Sequence, residues 1–364
     1  MHVCFLTPAY GASGGMVGRH VEALAAGVVR NAGTAEVLVY GTRAPESRAG
    51  DGVRVTWVAQ HFARLDRPFP KPLIAQLRGC TAAADVVHVH GRRLLATLHA
   101  AHPSLPHLVC TPHYYALSPE ELRHLAQGRE HRRDQRLVAD ADLVLCVSHS
   151  EALHVIRSAP GARIQVIPNG VDAPAIVAAH PLPVEGRVIL TVDRLTRWTG
   201  IHRIISALPA LSSTYGLVVI GGGRGRSALD AHAEYMRVDD RIRFLGRIDD
   251  RGLHRWLRTA SVLVTLKEES LWGGMLLAAT AAGTPVVASD MPANREAALL
   301  AGRDGISFVS RRASPFVVAD AIRDQALAGS RAHAERVATW EEMADQTFSA
   351  YRDLRSTEAL RGTA

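Results

Sequence analysis

Lysine is nearly missing from this chain of 364 residues: only Lys71 and Lys267 are present. The other 40 basic residues are arginine, and the formal net charge is +7. So uniform a bias reads as compositional, which excludes treating every arginine as an anion contact. The positive balance permits an anionic partner (nucleotide, nucleic acid or acidic lipid) without choosing one. Cysteine is also scarce. Cys4, Cys80, Cys110 and Cys146 form no CxxC pair, and three of them sit in apolar runs. That excludes a CxxC metal or redox motif and reads as buried thiols. No apolar run approaches the ~20 residues of a bilayer span. No basic stretch followed by an apolar segment and a cleavage site opens the chain. The first apolar run, Val3–Leu6, reads as a strand, and a cytoplasmic protein is expected. Glycine (30) and proline (18) are near ordinary usage, which excludes collagen-like and low-complexity chains.

What is present is an ordinary globular composition, 47% hydrophobic and 21% charged. The length suits two domains of about 150–180 residues each. Short apolar runs alternate with helical patterns. In the first half, strands are expected at His2–Thr7, Glu36–Tyr40, Val53–Val58, Asp85–His88, His107–Thr111, Asp142–Val147 and Ile164–Ile167. Helices fit Val17–Asn31, with Val17, Val21, Leu24, Val28 and Val29 on one face, and Glu151–Ser158, with Ser148 or Ser150 as N-cap. The pattern restarts with strands Val188–Val192, Leu217–Ile220, Ile242–Leu245, Val262–Leu266, Pro285–Ala288 and Ile306–Val309. Helices fit Ile201–Leu208, Ser227–Met236, Asp250–Thr259, Met275–Ala282 and Pro315–Leu327. Apolar strands separated by helices imply parallel sheets covered on both faces. Pro168-Asn169-Gly170, followed by Pro174, Pro181 and Pro183, marks a boundary. The expected domains are 1–170, 171–340 and a terminal segment 341–364, with a ligand cleft between the first two.

Three stretches carry chemistry locally. Gly11-Ala12-Ser13-Gly14-Gly15 follows the first strand and opens the first helix, where free N–H groups suit an anion. The dinucleotide spacing GxGxxG is missing there, because the glycines fall at 11, 14, 15 and 18. Gly221-Gly222-Gly223-Arg224-Gly225 also joins a strand to a helix, and a phosphate cradle and a tight turn both fit it. Gly273-Gly274 stands before a helix that ends at Gly283-Thr284-Pro285. Its N–H groups suit a diphosphate, although close packing needs small residues too. The charged run Gln127–Arg136 reads as a solvated face, with a basic patch for acidic lipid or an anionic acceptor as the alternative.

The segments Asp85–His90 (DVVHVH), Val166–Asp172 (VIPNGVD), Asp240–Gly246 (DRIRFLG) and Gly283–Ser289 (GTPVVAS) occur in this order. Together they resemble family 4 glycosyltransferases over nearly the whole chain. The resemblance implies the α/β GT-B fold: two Rossmann-like domains facing across a cleft. The first binds acceptor and the second nucleotide sugar. The Trp340-Glu341 and Tyr351 stretch resembles the helix that crosses back to the first domain. The resemblance also places roles. Gly14 and Gly15 match the turn that lets donor diphosphate and acceptor approach. His113 matches a histidine contacting the transferred sugar, and Arg194 a diphosphate-binding arginine; these two are the expected catalytic residues. Arg247 and Ile248 fall where the nucleotide base is held. Trp272, Gly273, Gly274, Met275 and Leu276 fall at the helix start that binds phosphate and sugar, and Gly223 lies in the other donor-side turn. Arg92 and Tyr114 are expected near the acceptor.

The sequence departs from the family where charge is needed. Two glutamates eight apart are usual; their positions hold Ser270 and Ala278. The usual lysine before a glycine is Thr199. An ammonium lost opposite two phosphates needs a substitute, for which Arg197, Arg203 and Lys267 are candidates. Glu269 and Ser270 are read as adapted donor contacts. Two explanations stay open: an enzyme adapted to an unusual donor, or a catalytically impaired partner subunit of an active glycosyltransferase. The function expected is retaining, hexosyl-type transfer from a nucleotide-diphospho-sugar (UDP, GDP or dTDP) to a small-molecule, glycan or lipid acceptor, as in natural-product biosynthesis. No metal and no other cofactor is required, no nucleic acid is a partner, and the location is cytoplasmic or peripheral at the inner membrane face. A nicotinamide oxidoreductase is disfavoured by the missing GxGxxG. A nucleic-acid binder rests on net charge alone.

Overall fold

The computed structural model describes residues 1–41, 46–59, 77–91, 107–114, 136, 138–329 and 337–361. The chain divides into two units, Met1–Gly170 with Trp340–Ala364, and Val171–Thr339.

Unit 1 is built on eight strands: β1 His2–Thr7, β2 Thr34–Gly41, β3 Glu46–Gly50, β4 Val53–Ala59, β5 Val86–His90, β6 Leu108–Thr111, β7 Leu143–Cys146 and β8 Ile164–Val166. Their order is β3-β4-β2-β1-β5-β6-β7-β8. All pairs are parallel except β3 with β4. The strands β1, β5, β6 and β7 are almost wholly buried, as expected of a parallel sheet covered on both faces. Helix α1, Gly15–Arg30, buries Val21, Leu24, Ala25 and Val28 against them. The expected Val17 and Val29 lie only half-buried at its margins. Helix α2, His149–Ser158, starts two residues before the expected Glu151, and of the two expected caps it uses Ser148, whose hydroxyl accepts from the Glu151 N–H at 2.9 Å.

The terminal helix belongs to unit 1, where it packs on α1. It runs from Trp340 to Arg361 and buries Met343, Ala344, Phe348, Tyr351 and Leu354. Gly27 makes this approach possible, since a Cβ there would stand 2.6 Å from Ala344 Cβ. Arg30 pairs with Glu341 at 3.1 Å and Asp345 at 3.0 Å, and Arg355 with Asp85 at 3.1 Å. At the centre, the fully buried Tyr351 hydroxyl meets His88 Nδ1 at 2.6 Å, and His88 Nε2 meets Thr111 Oγ1 at 2.8 Å.

Unit 2 repeats the plan with six parallel strands: β9 Arg187–Val192, β10 Tyr215–Ile220, β11 Ile242–Gly246, β12 Val262–Thr265, β13 Val286–Ser289 and β14 Ile306–Val309. Their order is β11-β10-β9-β12-β13-β14. Its helices are α3 Ala173–Ala178, α4 Ile201–Ala207, α5 Arg226–Tyr235, α6 Asp250–Thr259, α7 Gly274–Ala281, α8 Pro292–Ala301 and α9 Pro315–Ala328. The sequence pattern finds the strands to within two residues at either end. It misses β3, α3 and α8. The strand β3 is a polar edge without an apolar run, α3 hides among prolines, and α8 is alanine-rich.

Tyr351→Phe leaves the buried His88 Nδ1 without its partner, at a cost of about 1–3 kcal/mol. The expected result is a lower urea midpoint for the transition of unit 1. An unchanged midpoint would show that the bond contributes nothing.

Candidate active site

In an open parallel sheet, ligands gather beyond the carboxyl ends of strands at the point where the strand order reverses. In unit 2 that point lies between β9 and β12, since the chain builds β10 and β11 on one side of β9 and then returns to the other. The loops leaving these two strands touch. Lys267, two residues past β12, places Nζ 3.0 Å from Asp193 Oδ2, one residue past β9. The other Asp193 oxygen accepts the Arg194 N–H at 2.8 Å. Further along, the Glu268 N–H donates to the Trp198 carbonyl at 3.0 Å. Gly200 holds a left-handed conformation (φ 69°), and a Cβ there would lie 2.1 Å from the Leu266 carbonyl oxygen.

The expected cations differ in what they are doing. Arg194 and Arg197 are exposed, and Arg197 stacks on Trp198 with 4.3 Å to the ring centroid. Arg203 donates to the Ser310 carbonyl at 2.9 Å. Thr199 is buried, with its hydroxyl on the Thr196 carbonyl at 2.8 Å. Position 199 therefore carries a folded-in hydroxyl, while Lys267, the one lysine among the described residues, follows β12.

The glycine loop 221–225 is explained by packing. A Cβ on Gly223 would stand 2.4 Å from the Leu195 carbonyl oxygen, and one on Gly225 2.8 Å from it. Two backbone bonds, Leu195 N–H to Gly222 O at 3.1 Å and Gly225 N–H to Leu195 O at 2.8 Å, tie this loop to the Arg194 turn. Arg247 follows β11 and lies beside Gly222, while Ile248 packs near Gly252. Gly273 likewise serves packing: its Cβ would lie 2.5 Å from Ala297 Cβ on α8. Gly274 abuts the indole nitrogen of buried Trp272. Ser270 closes this turn, donating to the Trp272 carbonyl at 2.8 Å and accepting its N–H at 3.3 Å. Glu269 is exposed and Met275 half-buried. Leu276 and Ala278, both expected among the donor-binding residues, are buried on α7. Leu276 retains its first-turn N–H as a donor, and an alanine side chain offers no hydrogen bond at 278.

In unit 1 the reversal lies between β1 and β5. Gly14 and Gly15 stand there as expected, at the end of a 3-10 turn and the start of α1. Gly14 packs on Ala9, whereas Gly15 faces open space at φ 65°. His113 follows β6 in a left-handed conformation (φ 53°), which a non-glycine residue rarely adopts. Its ring is buried, and Nε2 lies 3.0 Å from His90 Nδ1 at the end of β5. His20 of α1 completes the group, its Nδ1 2.7 Å from Asn169 Oδ1. Burial disfavours the charged imidazolium, pushing His20 down to about 4 and His90 and His113 well below the usual range. Tyr114, expected near the acceptor, is buried edge-on to His154, centroids 4.9 Å apart. Arg92 and most of the charged run 127–136 lie outside the described residues. Sequence reasoning missed His20, His90, Asn169 and Asp193 as site residues. The available signal was a histidine on the buried face of α1 and two histidines at spacing two in an apolar strand.

The family model described as Glycosyltransferase Family 4 matches residues 13–173, and the one described as Glycosyl transferases group 1 matches residues 172–328. The chain belongs to the family 4 glycosyltransferases. A similar relative of this glycosyltransferase is a D-inositol 3-phosphate glycosyltransferase from Xylanimonas cellulosilytica, 28% identical over 97% of this chain and 95% of that protein. A glycogen synthase from Mycobacterium tuberculosis is 32% identical over 61% of this chain and 56% of its own. Among solved structures, a sucrose-phosphate synthase from Thermosynechococcus elongatus superposes with a TM-score of 0.79 at 18% identity, covering 98% of this chain and 100% of that one. Anabaena HepE, solved in complex with UDP-glucose, gives 0.67 at 19% identity, covering 100% and 99%. The fold of this glycosyltransferase is accordingly GT-B.

Gly223→Ala drives a Cβ into the Leu195 carbonyl and should cost unit 2 about 1–3 kcal/mol. Gly15→Ala meets no neighbour and should cost about 1–2 kcal/mol through its positive φ alone. Thermal unfolding checks both, and hydrogen exchange around Asp193–Thr196 should loosen only in the first variant.

Proposed function

We propose that unit 2 binds a nucleotide-diphospho-sugar and that the enzyme transfers its sugar, with retention at the anomeric carbon, to a hydroxyl or amine of an acceptor bound by unit 1. The observation that carries this reading is the Lys267–Asp193 pair at the β9–β12 reversal, beside Arg194. It supports a relocated cation: the ammonium lost at position 199 is supplied from the next strand. Lys267 is only 31% exposed and is held in place before any anion arrives. Such preorganisation is what stabilises charge developing on a leaving group.

In the proposed reaction the bond from the anomeric carbon to the diphosphate breaks, and a bond from that carbon to the acceptor heteroatom forms. The acceptor proton passes to the departing phosphate oxygen on the same face. Arg194, Lys267 and the first-turn N–H groups of α7 hold the diphosphate. Glu269, adjacent to Ser270, takes over hydroxyl contacts that the two usual glutamates supply. Arg247 and Ile248 face the base. Among the described residues no helix is long and apolar enough to cross a membrane. The reading places the reaction in the cytoplasm, on a soluble acceptor or at the inner membrane face, and in the biosynthesis of a natural product or glycoconjugate.

The test is nucleotide binding followed by turnover. A thermal-shift screen of UDP, GDP and dTDP sugars selects the donor. By calorimetry, Lys267→Ala should weaken the selected nucleoside diphosphate about tenfold or more, the weight of one charge-assisted bond. Arg258→Ala, whose guanidinium is engaged by the Ala282 carbonyl at 2.8 Å, should not. Arg194→Ala should remove most transfer. Equal and negligible effects of the two binding variants would reject the relocated cation. Turnover by the purified chain alone separates an enzyme from an impaired subunit.

A further inference from the structure

Helix α7 starts on the loop that leaves the carboxyl end of β12. Gly273 is its N-cap, and no side chain caps it. The N–H groups of its first turn have no acceptor within the helix. Just before that cap, Trp272 is buried to all but 7% of its surface. Its indole Nε1 lies 2.6 Å from where a Cβ on Gly274 would stand, so the nitrogen packs directly on the first residue of the helix. Among the described residues this N–H has no hydrogen-bond partner. A buried indole N–H ordinarily finds one. The nitrogen is not sealed either: among the described residues of unit 2, the side-chain atoms closed off without a partner belong to Arg203 and Gln325. The neighbouring hydroxyl is engaged elsewhere. Ser270 Oγ donates to the Trp272 carbonyl at 2.8 Å and accepts the Trp272 backbone N–H at 3.3 Å, which fixes the backbone that carries the indole.

We propose that the indole N–H of Trp272 donates a hydrogen bond to an oxygen of the bound nucleotide sugar, on its diphosphate or on its sugar. The inference rests on the reading that unit 2 binds this donor, and it adds a side chain to the backbone groups which that reading uses. An indole nitrogen can only donate, so the partner it lacks is an acceptor. The first-turn N–H groups and the positive end of the helix dipole draw an oxygen anion to the same end of α7. Lys267 stands earlier on the same loop, which therefore presents an ammonium, an indole N–H and a helix start in succession. A ring this buried loses little freedom when it engages a ligand, so the bond it makes is not offset by ordering. Trp256 supplies an internal contrast. It is 8% exposed, and its indole is likewise without a partner among the described residues. It lies in the last turn of α6, which leads into the amino end of β12, whereas α7 follows the carboxyl end. What sets Trp272 apart is the uncapped helix start beside its nitrogen.

The experiment follows the indole N–H signals of the full chain by NMR, from Trp57, Trp198, Trp256, Trp272 and Trp340. UDP, GDP and dTDP are titrated first, then their sugar conjugates. The expected result is a downfield shift of the Trp272 proton, with that of Trp256 unmoved. A shift with the nucleoside diphosphate alone places the accepting oxygen on phosphate; a shift that needs the whole nucleotide sugar places it on the sugar. By calorimetry, Trp272→Phe should weaken the ligand that moves the signal about tenfold, the weight of one hydrogen bond to a charged group. Gly274→Ala keeps the indole but sets a Cβ against its nitrogen, and should weaken binding in the same direction. Trp256→Phe should leave affinity unchanged. Circular dichroism checks that each variant is folded. If Trp272→Phe does not fold, its signal is assigned by elimination from the other Trp→Phe variants, and the wild-type shift decides. A Trp272 signal unmoved by a bound ligand overturns this inference and leaves the donor reading standing. Equal affinity in a folded Trp272→Phe does the same. A wild type that binds none of these ligands overturns both.

Discussion

Backbone meeting backbone at the strand ends is the constraint on which unit 2 depends. Gly200 lies against the Leu266 carbonyl, Gly221 against that of Asp193 and Gly223 against that of Leu195. None of these positions has room for a side chain. The strands β9 and β12 are ladder neighbours, and the Gly200 contact holds the loop after β9 against the end of β12, where Lys267 reaches Asp193 at 3.0 Å. The glycines are therefore required one step before the chemistry. They shape the ground on which Arg194 and Lys267 stand.

Unit 1 solves a different problem with the same topology. Its central strands bury histidines where other parallel sheets bury aliphatic residues. His88 is satisfied on both ring nitrogens, by Tyr351 and Thr111. His90, two residues on and on the same face, is satisfied on only one. The contrast between neighbours separates a structural histidine from one with capacity to spare. A polar residue in a core earns a functional reading only when its hydrogen bonds do not close.

Most of the fold was legible because both faces of these sheets are buried. A strand such as Val3–Leu6 or Val86–Val89 then shows as an unbroken apolar run, and the turns between show as glycine and proline. Elements without that contrast were invisible: Glu46–Gly50 pairs antiparallel at the sheet edge, and the alanines of Pro292–Ala301 carry no stripe. Of the candidate site, the sequence offered the residues that stand next to the chain's own punctuation, as with Arg194 and Gly273-Gly274. The site was illegible where a residue acts through a distant partner. Nothing near Lys267 in sequence announces Asp193, and nothing near His20 announces Asn169. Position 278 shows the converse: a family register points to a position whose alanine is buried on α7.

The terminal helix has a consequence for the order in which the protein is made. Trp340–Arg361 completes the core of unit 1, yet it is encoded after the whole of unit 2. On the ribosome, the second unit has every residue it needs while the first still lacks its last wall. Until then the Gly27 face of α1 is uncovered and His88 has no tyrosine. The unit that begins first is thus the unit that finishes last, and the nascent chain must keep its opening half soluble throughout synthesis of the other.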